Sequence, residues 1–375
     1  MSSIPATTRA LVLPTFNQPL SLEKTETPTS MPTGSALVKI LATTIRPHNR
    51  EGFESKGFLT FPLPFAPGNS GVGRVLTAGD DAASLKPGQL VWVNGFVTSR
   101  DDPQNTQVLL GLHDNHGEPK SGRLFASWKG LWRDVAVMPL ENCIPLNEDV
   151  LVGKMGYSFG DLEYIERLAV AHGGISAANL RAGETVVVAP ATGHYSGATA
   201  ELAAEMGCRV IALTRSAERL KPLASRYPNN IISIEMTGDV EADTAAVRAV
   251  LPRAVGADAF IDVSPPNAGP SPPHFTVGMN VLRPYSRVIL LGALPSVSIS
   301  YWTTMVRCIS IRGQWMYKRE EAEHLVKMIE AGVVKLGKDA GHELVGGGFA
   351  LEDWEEAIAA AEKATQWGRQ VLFMP

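Results

Sequence analysis

One segment, Thr185 to Arg219, constrains the fold more than any other part of this chain. It begins with an apolar, β-branched run, Thr185–Val188, passes through a short turn into a helix-forming stretch, Ala198–Met206, and returns to a second apolar run, Arg209–Thr214. Two buried strands joined by a helix of this length indicate a parallel βαβ unit. Because the first turn of such a helix has free backbone N–H groups, the unit can hold the pyrophosphate of a dinucleotide.

The turn of this unit carries the residues expected to contact the phosphates. Ser196 replaces the third glycine of the usual G-x-G-x-x-G pattern, while Gly193 is retained where the chain must turn or approach a ligand closely. The evidence for a dinucleotide therefore comes from the strand–turn–helix context more than from the glycine pattern. We predict cofactor contacts from the turn residues Thr192, Gly193, His194, Tyr195 and Ser196.

The second strand of the unit ends in a basic sequence. An Asp or Glu about 20 residues after the turn binds the ribose 2′-hydroxyl of NAD, but this chain has Thr214, Arg215 and Ser216 there, with Arg219 one helical turn later. A carboxylate would repel a 2′-phosphate, whereas a guanidinium and two hydroxyls would bind it through charge-assisted hydrogen bonds. The sequence predicts NADP(H) rather than NAD(H). The alternative is a solvated surface loop with an ordinary arginine.

Composition and charge narrow the class of protein. The 375 residues suffice for two domains, and 45% of them are hydrophobic and 19% charged. The formal net charge of −4 gives no support for nucleic-acid binding, and no apolar run reaches the length of a membrane span. The three cysteines show no metal-type spacing, and the first residues lack a signal-peptide core. We therefore expect a cytoplasmic protein without membrane or nucleic-acid partners.

The rest of the chain divides into a β-rich region and an alternating one. The first region carries short strand candidates separated by Gly and Pro: Ala10–Leu13, Ser35–Leu41, Gly71–Leu76, Gln89–Val93 and Arg133–Met138. The second region adds Asn230–Ile234, Ala259–Val263 and Arg287–Leu291, and its alternation with helices predicts a doubly wound parallel sheet. Two amphipathic helices, Lys318–Ala331 and Leu351–Thr365, and a strand, Gln370–Met374, follow. Residues 98–128 are polar without periodicity and predict a long surface loop.

Over essentially its full length the chain resembles the medium-chain dehydrogenase/reductase superfamily. Besides the βαβ unit, the resemblance is carried by LATTIRPHN, FAPGNSGVGRV, LKPGQLVWV, GLWRDVAVMPLENCIPL, RVILLGA and FALEDWEEAIAAAEKATQWGRQVLFMP. It implies an α/β protein with a GroES-like β-rich catalytic domain, residues 1–155 completed by 318–375, and a Rossmann NADP(H)-binding domain with a doubly wound parallel sheet, residues 156–317. A homodimer is also implied, often through edge-strand pairing. The apolar run Ser296–Trp302 suits that role, or it is an internal edge.

Departures from the superfamily's zinc enzymes indicate its zinc-independent branch, which includes quinone, enone and enoyl reductases. Where the zinc alcohol dehydrogenases carry a Cys this chain has Arg46, and where they carry a His-Glu pair it has Asn69 and Ser70. Residues 164–171 contain no Cys or His at the third ligand region, and the four-cysteine structural lobe is missing. Zinc needs three or four converging N, S or carboxylate ligands, and an arginine brings a positive charge to the metal position. We therefore expect no metal site.

Chemistry without a metal needs other groups near the nicotinamide. The resemblance puts His48 where a proton-relay hydroxyl stands in the zinc enzymes, and a histidine titrates near neutral pH, so we predict a catalytic role, with a turn cap as the alternative. We predict that four further residues bind substrate: Arg46, Asn69, Ser70 and Trp132. Arg46 would bind a carboxylate, a phenolate or a developing enolate of the substrate. Further cofactor contacts are expected from strand ends that border the cleft: Val263, Ser264, Gly292 and Ala293.

These features predict an NADPH-dependent reductase of a conjugated carbonyl or ketone of a small organic molecule, and a biosynthetic intermediate is one candidate substrate. Two alternatives stay open. One is a non-redox protein on the same fold, such as a cofactor-sensing regulator, a structural protein, or a cyclase-type enzyme that keeps the dinucleotide as a structural ligand. The other is an enoyl reductase acting in trans on a carrier-bound polyketide, although the sequence has no obvious basic docking patch.

Overall fold

The computed structural model describes residues 4–55, 59–115, 118–252 and 254–375. Its strands are, in chain order, β1 (Thr7–Val12), β2 (Ser21–Glu26), β3 (Ser35–Ile45), β4 (Gly71–Ala78), β5 (Leu90–Val93), β6 (Phe96–Thr98), β7 (Gln107–Leu109), β8 (Val135–Pro139), β9 (Cys143–Pro145), β10 (Thr185–Ala189), β11 (Arg209–Thr214), β12 (Ile231–Glu235), β13 (Ala257–Asp262), β14 (Leu282–Leu290), β15 (Ser310–Gly313), β16 (Glu343–Leu344) and β17 (Arg369–Phe373).

The α-helices of the same residues are α1 (Asn49–Phe53), α2 (Pro119–Ser127), α3 (Phe159–Glu163), α4 (Ile165–Ala177), α5 (His194–Glu205), α6 (Ala217–Arg226), α7 (Val240–Val250), α8 (Pro273–Asn280), α9 (Tyr301–Val306), α10 (Arg319–Glu330) and α11 (Trp354–Lys363). A π-helical turn spans Asp149–Lys154. None of the described helices is both long and apolar enough to cross a membrane.

A parallel sheet lies at the centre of the nucleotide-binding region. Within the described residues its strand order is β12-β11-β10-β13-β14-β15, and every neighbouring pair is parallel. From β10 the next two strands in the chain are added on one side of the sheet, and the later strands are added on the other side. This switch point beside β10 creates the crevice where ligands bind in doubly wound folds. The predicted strands of this region are confirmed, Arg209–Thr214 with the same bounds.

Both faces of this sheet are covered because its strands are apolar on both sides. Val186 and Val188 of β10 pack in one cluster with the residues of α4 and α5, such as Leu168 and Leu202. The alternate residue Val187 packs in a second cluster with α7 and α8. All five residues of β10 are buried, so the turn that follows them starts from a rigid position.

A second, mainly antiparallel sheet forms the other half of the molecule. Its order is β16-β17-β3-β4-β5-β9, with β8 paired to β3. The last strand, β17, pairs with β3 in the register Val371 to Ile45, so the C-terminal segment completes the sheet formed by the first part of the chain. One buried cluster contains Val72 and Trp92 from this half together with Leu168 and Val188 from the other. The domain boundaries at residues 155 and 318 stay a prediction.

Three sequence predictions of local structure are wrong in part. The stretch 98–128 is not one loop, since it contains β7 and α2, which are too short to show a clear period. Helix α5 begins at His194 rather than Ala198, because Gly193 starts it in an extended conformation. Ser296–Trp302 is not an edge strand: Ser300 caps α9 by accepting a hydrogen bond from Thr303 N (3.2 Å), and β15 is the edge strand.

Candidate functional site

The predicted phosphate-binding turn joins β10 to α5. Gly193 precedes the helix, and its N–H donates to Ser196 Oγ (3.0 Å), which fixes the first helical turn. The backbone N–H groups at the start of α5 have no partners within the helix, as at any helix N-terminus, and they can bind an anion. Gly197 meets Trp367 so closely that an added Cβ would lie 2.5 Å from the Trp367 Cβ. Glycine is therefore required at residue 197 as well.

The segment Ala364–Trp367, from the C-terminal part of the chain, lies against this turn. Trp367 N donates to Thr192 O (3.2 Å), and Gln366 pairs with Gly193 as an isolated β-bridge. The His194 imidazole donates from Nε2 to Ala364 O. Burial lowers the pKa of His194 well below its usual value, so the ring is neutral at physiological pH. The His194 side chain thus holds the segment in place, and its backbone N–H remains part of the helix start.

The end of β11 brings arginines to the same edge of the sheet. Thr214 is buried and its Oγ1 accepts from Ser216 N (2.9 Å), while Ser216 Oγ caps α6 by accepting from Arg219 N (3.4 Å). Arg219 donates to Thr365 Oγ1 (3.1 Å). Arg215 is exposed and has neither an ion pair nor a hydrogen bond among the described residues. The two hydroxyls thus serve the local structure, and Arg215 is the available cation.

A second group of polar side chains surrounds Arg46, and we call Arg46, Asn69, Glu166 and Tyr195 the Arg46 cluster. Arg46 donates to Glu166 Oε1 (2.5 Å) and to Asn69 Oδ1 (3.1 Å). Tyr195 donates its hydroxyl to the same Glu166 oxygen (2.9 Å), and its ring centroid lies 5.5 Å from the Arg46 guanidinium carbon. Burial acts to lower the pKa of Arg46, but the Glu166 carboxylate outweighs it and the pKa lies above its usual value.

Two acidic residues of this cluster region were not found from the sequence. Glu163 is the last residue of α3 and is 1% exposed, and Glu166 lies in the first turn of α4 and is 2% exposed. Burial, and then the Glu166 charge, raise the pKa of Glu163 well above its usual value. Their signal in the sequence is a pair of acidic residues three apart in a stretch that is otherwise mainly apolar but also contains Asp161 and Arg167. Such a pair indicates buried partners, but it does not name Arg46.

The other predicted substrate residues lie at different depths. Ser70 is buried and accepts from the Trp92 indole N–H (3.0 Å). Trp132 is 1% exposed, donates its indole N–H to Thr44 O (3.0 Å) and packs on Phe373. His48, in contrast, is 74% exposed, and its Nδ1 lies 3.5 Å from Glu51 Oε2.

The predicted strand-end contacts form a compact edge beside β10. Val263 N donates to Ala189 O (2.8 Å), and Ala293 N donates to Ser264 O (2.8 Å). A Cβ on Gly292 would lie 2.5 Å from the backbone of Ser264. The close approach that requires this glycine is therefore between two strand ends of the protein itself. Together these contacts bring Val263, Ser264, Gly292 and Ala293 to the carboxyl edge where the nucleotide turn begins.

A family comparison bears on the β-rich half. Residues 32–148 match the family model described as the alcohol dehydrogenase GroES-like domain. This segment is a GroES-like domain. Alcohol dehydrogenase 1 of Emericella nidulans is 22% identical over 324 residues, which cover 84% of this chain and 83% of that protein. Among the described residues, no group of three or more His, Cys, Asp or Glu side chains could hold a metal ion.

Solved structures share the whole fold. AibC superposes with a TM-score of 0.77 at 17% identity, over 99% of this chain and 96% of that one. A putative zinc-binding dehydrogenase from Sinorhizobium meliloti 1021, bound to NADP, gives 0.73 at 17% identity over 99% and 100% of the two chains. A short chain alcohol dehydrogenase from E. coli CFT073, complexed with NADH, gives 0.76 at 17% identity with the same coverage. The predicted fold class, a GroES-like domain with a Rossmann-type parallel sheet, is confirmed.

Proposed function

We propose that the protein is an NADPH-dependent, zinc-independent oxidoreductase that acts on a conjugated carbonyl or ketone of a small organic substrate. The general class is supported by the relatives, which include an alcohol dehydrogenase and dehydrogenase structures bound to NADP or NADH. The observation that carries the proposal is the position of Tyr195. It belongs to the first turn of α5 and also bonds to Glu166, so one residue joins the nucleotide turn to the Arg46 cluster.

The nucleotide site fits a phosphorylated dinucleotide. The N-terminal turn of α5 offers backbone N–H groups for the pyrophosphate, with contributions from Thr192, Gly193 and Ser196. Arg215 and Arg219 lie after β11, where the adenosine ribose is held in this fold, and Arg215 has no acidic partner among the described residues. NADPH, when bound, supplies a hydride. Val263, Ser264, Gly292 and Ala293 border the same crevice on its other side.

The residues of the Arg46 cluster do not fit zinc. Zn²⁺ requires a closed set of deprotonated or neutral ligands, but a guanidinium stays protonated in proteins and repels a dication. Here that guanidinium already occupies the donor oxygens of Asn69 and Glu166. Burial raises the pKa of Glu163 beside it, and a second buried guanidinium, that of Arg167, adds its positive charge to the region. No step of the proposed reaction passes through a metal.

The Arg46 cluster can stabilise charge on a substrate. As negative charge develops on a substrate oxygen, the Arg46 guanidinium offers preorganised N–H donors, and Glu166 keeps it in position. Arg46 is 20% exposed, so part of it can be reached by a ligand. Asn69 orients the guanidinium by accepting a hydrogen bond from it at Oδ1. Reduction also adds a proton to the substrate. We assign the delivery of this proton to His48, whose ring is exposed to water.

Oxidation of NADPH in the presence of substrate classes tests this function. The purified chain is mixed with NADPH and enones, quinones or ketones, and the loss of the reduced-nicotinamide absorbance is followed. We expect turnover with one class, and a fall of roughly 100-fold in kcat/KM for Arg46→Gln, the size found when an oxyanion-stabilising donor is removed. Arg181→Gln, on a distant turn, is the control. Tight NADPH binding without oxidation in any class would favour a non-redox protein or a cyclase-type enzyme instead.

We also propose that the protein forms a homodimer through the β15 edge of the parallel sheet. Four large apolar side chains of α9 are exposed beside that edge: Tyr301 at 82%, Trp302 at 70%, Val306 at 54% and Met305 at 49%. An exposed sheet edge next to an apolar patch is a surface that soluble proteins normally cover. A second copy of the same edge would cover both. The cytoplasmic location stays a prediction.

A further inference from the structure

A second polar cluster lies at the carboxyl edge of the parallel sheet, apart from the Arg46 cluster. It contains Asp262, the last residue of β13, Ser264, two residues later, and His274, the second residue of α8. Ser264 Oγ lies 2.6 Å from Asp262 Oδ1 and 2.7 Å from His274 Nε2. Asp262 and Ser264 are 2% and 1% exposed, whereas 16% of the His274 side chain is exposed. We call these three residues the His274 cluster.

The hydrogen bonds of this cluster fix which nitrogen of His274 carries the proton. The Ser264 hydroxyl has one hydrogen, and it donates this hydrogen to the Asp262 carboxylate. The remaining bond to His274 must then be donated by the imidazole from Nε2, so the neutral ring has its lone pair on Nδ1. Among the described residues, Nδ1 has no hydrogen-bond partner. The ring is therefore held by one nitrogen while the other is free to meet a ligand.

The cluster stands beside the nucleotide turn. Val263, between Asp262 and Ser264, donates its N–H to Ala189 O at the end of β10, which leads directly into the turn. Because β10 is flanked by β11 and β13 in the sheet, Arg215 follows one neighbouring strand and His274 approaches from the other. A dinucleotide in a doubly wound fold lies across this crevice. Arg215 and His274 thus border the same part of the cleft.

The charges around His274 favour an anion. Burial, and then the positive charge of Arg215, lower the pKa of His274 to about 4, so the ring is neutral and feels the nearby cation. The acidic neighbour on the opposite side is Asp262, whose Oδ1 lies 3.8 Å from Nε2 and is already bound by Ser264. Burial raises the pKa of Asp262 to about 6. An anion between Arg215 and Nδ1 would offset the repulsion from Arg215, which adds to burial in lowering the pKa of His274.

We propose that His274 is a second recognition residue for the 2′-phosphate of NADP(H), acting with Arg215, and that it takes up a proton when this phosphate binds. The proton comes from solvent and adds to Nδ1, which then donates to a phosphate oxygen, while Nε2 keeps its bond to Ser264. No covalent bond is formed or broken. The inference rests on the proposed NADP(H) dependence and adds a specificity-determining residue to it.

Binding of paired nucleotides tests this assignment. Dissociation constants for NADPH and NADH, and for adenosine 2′,5′-bisphosphate and 5′-AMP, are measured at about pH 6 and about pH 8, on either side of the usual histidine pKa. The variant His274→Gln keeps a side-chain N–H for Ser264 but cannot gain a proton. His324→Gln, on α10, is the control. We expect His274→Gln to weaken binding of the two 2′-phosphorylated ligands roughly 10-fold at the lower pH, the typical worth of a hydrogen bond to a charged group.

The same variant should leave NADH and 5′-AMP binding unchanged, and its effect on NADPH should shrink at the higher pH. Calorimetry in buffers of different ionisation enthalpy should show that the wild type takes up more protons on binding NADPH than the variant. Equal weakening of NADPH and NADH binding, or an effect independent of pH, would overturn the assignment of His274 but not the proposed cofactor. A wild type that binds neither nucleotide would overturn the proposed cofactor as well. If the variant does not fold, an NMR titration of His274 in the wild type with adenosine 2′,5′-bisphosphate decides, since an unchanged imidazole pKa contradicts the proposal.

Discussion

The hydroxyl of Tyr195 lies 2.9 Å from Oε1 of Glu166, the carboxylate oxygen that also receives a hydrogen bond from Arg46. Tyr195 is in the first turn of α5 and Glu166 is in α4, so through Glu166 the nucleotide turn is connected with Arg46 of the antiparallel half. Binding of a nucleotide at the helix start and binding of a substrate at Arg46 would therefore act on one hydrogen-bonded unit.

Replacing Glu166 by Gln should lower the free energy of unfolding by about 2 kcal/mol, because the Arg46 guanidinium then loses its charge partner. Breaking a fully buried ion pair costs ~3–5 kcal/mol. The expected loss is smaller here because the Arg46 side chain is 20% exposed. Urea unfolding followed by circular dichroism measures the change. The control is Glu218→Gln, which removes an exposed pair with Lys221 and should cost less than about 0.5 kcal/mol. Equal losses in the two variants would show that the Arg46 cluster is not a buried ion pair.

Gly197→Ala should destabilise the protein by roughly 1–3 kcal/mol, the usual cost of overpacking. The new Cβ would lie 2.5 Å from the Trp367 Cβ, so the segment Ala364–Trp367 must move away from the turn. Gly122→Ala is the matched control, since Gly122 is also helical and has nothing within 4 Å of an added Cβ. Thermal melting of both variants provides the comparison. A Gly197 variant as stable as the control would mean that the segment does not pack on α5 as described.

Glu205 should make stability fall as the pH rises. Burial, and then the Glu201 charge, raise its pKa to about 7 in the folded chain, against about 4.3 when unfolded. Between these values the folded state holds a proton that the unfolded state has lost, so stability decreases with rising pH and then levels off. Glu205→Gln should therefore gain about 1–3 kcal/mol relative to the wild type from about pH 4 to about pH 8.

Urea unfolding at several pH values across this range tests the Glu205 prediction. Glu356→Gln, an exposed substitution on α11, supplies the control and should show no such gain. Tyr227 donates its hydroxyl to Glu205 Oε1 (2.9 Å), a bond that the glutamine can also accept. A pH-independent difference between wild type and Glu205→Gln would show that this carboxyl titrates normally.

Trp302→Ser should convert a dimer into a monomer. Trp302 is 70% exposed on α9, beside the edge strand β15, and a buried aromatic at an interface commonly contributes about 2 kcal/mol or more. Light scattering coupled to gel filtration, over a range of protein concentrations, measures the mass. Val333→Ser changes an exposed apolar residue elsewhere, at 51% exposure, and should leave the mass unchanged. A wild type that is already monomeric, or a Trp302 variant that stays dimeric, contradicts the proposed interface.

The fold could be predicted from the sequence because its parallel strands are apolar runs with clear boundaries. The bounds Arg209–Thr214 were predicted without error, since the run is apolar and lies between a helix stop at Gly207 and a polar cap. The start of α5 was missed because His194–Gly197 are poor helix formers, and the contact between Gly193 and Ser196 that starts the helix is not a local propensity. Helix α9 was missed because aromatic residues such as Tyr301 and Trp302 favour strands in isolation.

The candidate site was accessible only where its residues are neighbours in sequence. The turn from Thr192 to Ser196 and the group after β11 were found because they follow strands directly. Glu166 was not found, because its partner Arg46 is 120 residues away and only folding brings them together. The same holds for His274, which meets Ser264 across a Pro-rich loop. The roles of His48, Arg46, Asn69, Ser70 and Trp132 stay predictions.

Transfer of an isotopic label from the cofactor to a product tests most directly whether the protein is a reductase. NADPH carrying deuterium at the transferable position of its nicotinamide is incubated with the protein and each substrate class, and the products are analysed by mass spectrometry. We expect deuterium to enter the reduced product of one class, and Arg46→Gln to slow its appearance. Deuterium that stays on bound NADPH while a substrate is converted would contradict this expectation.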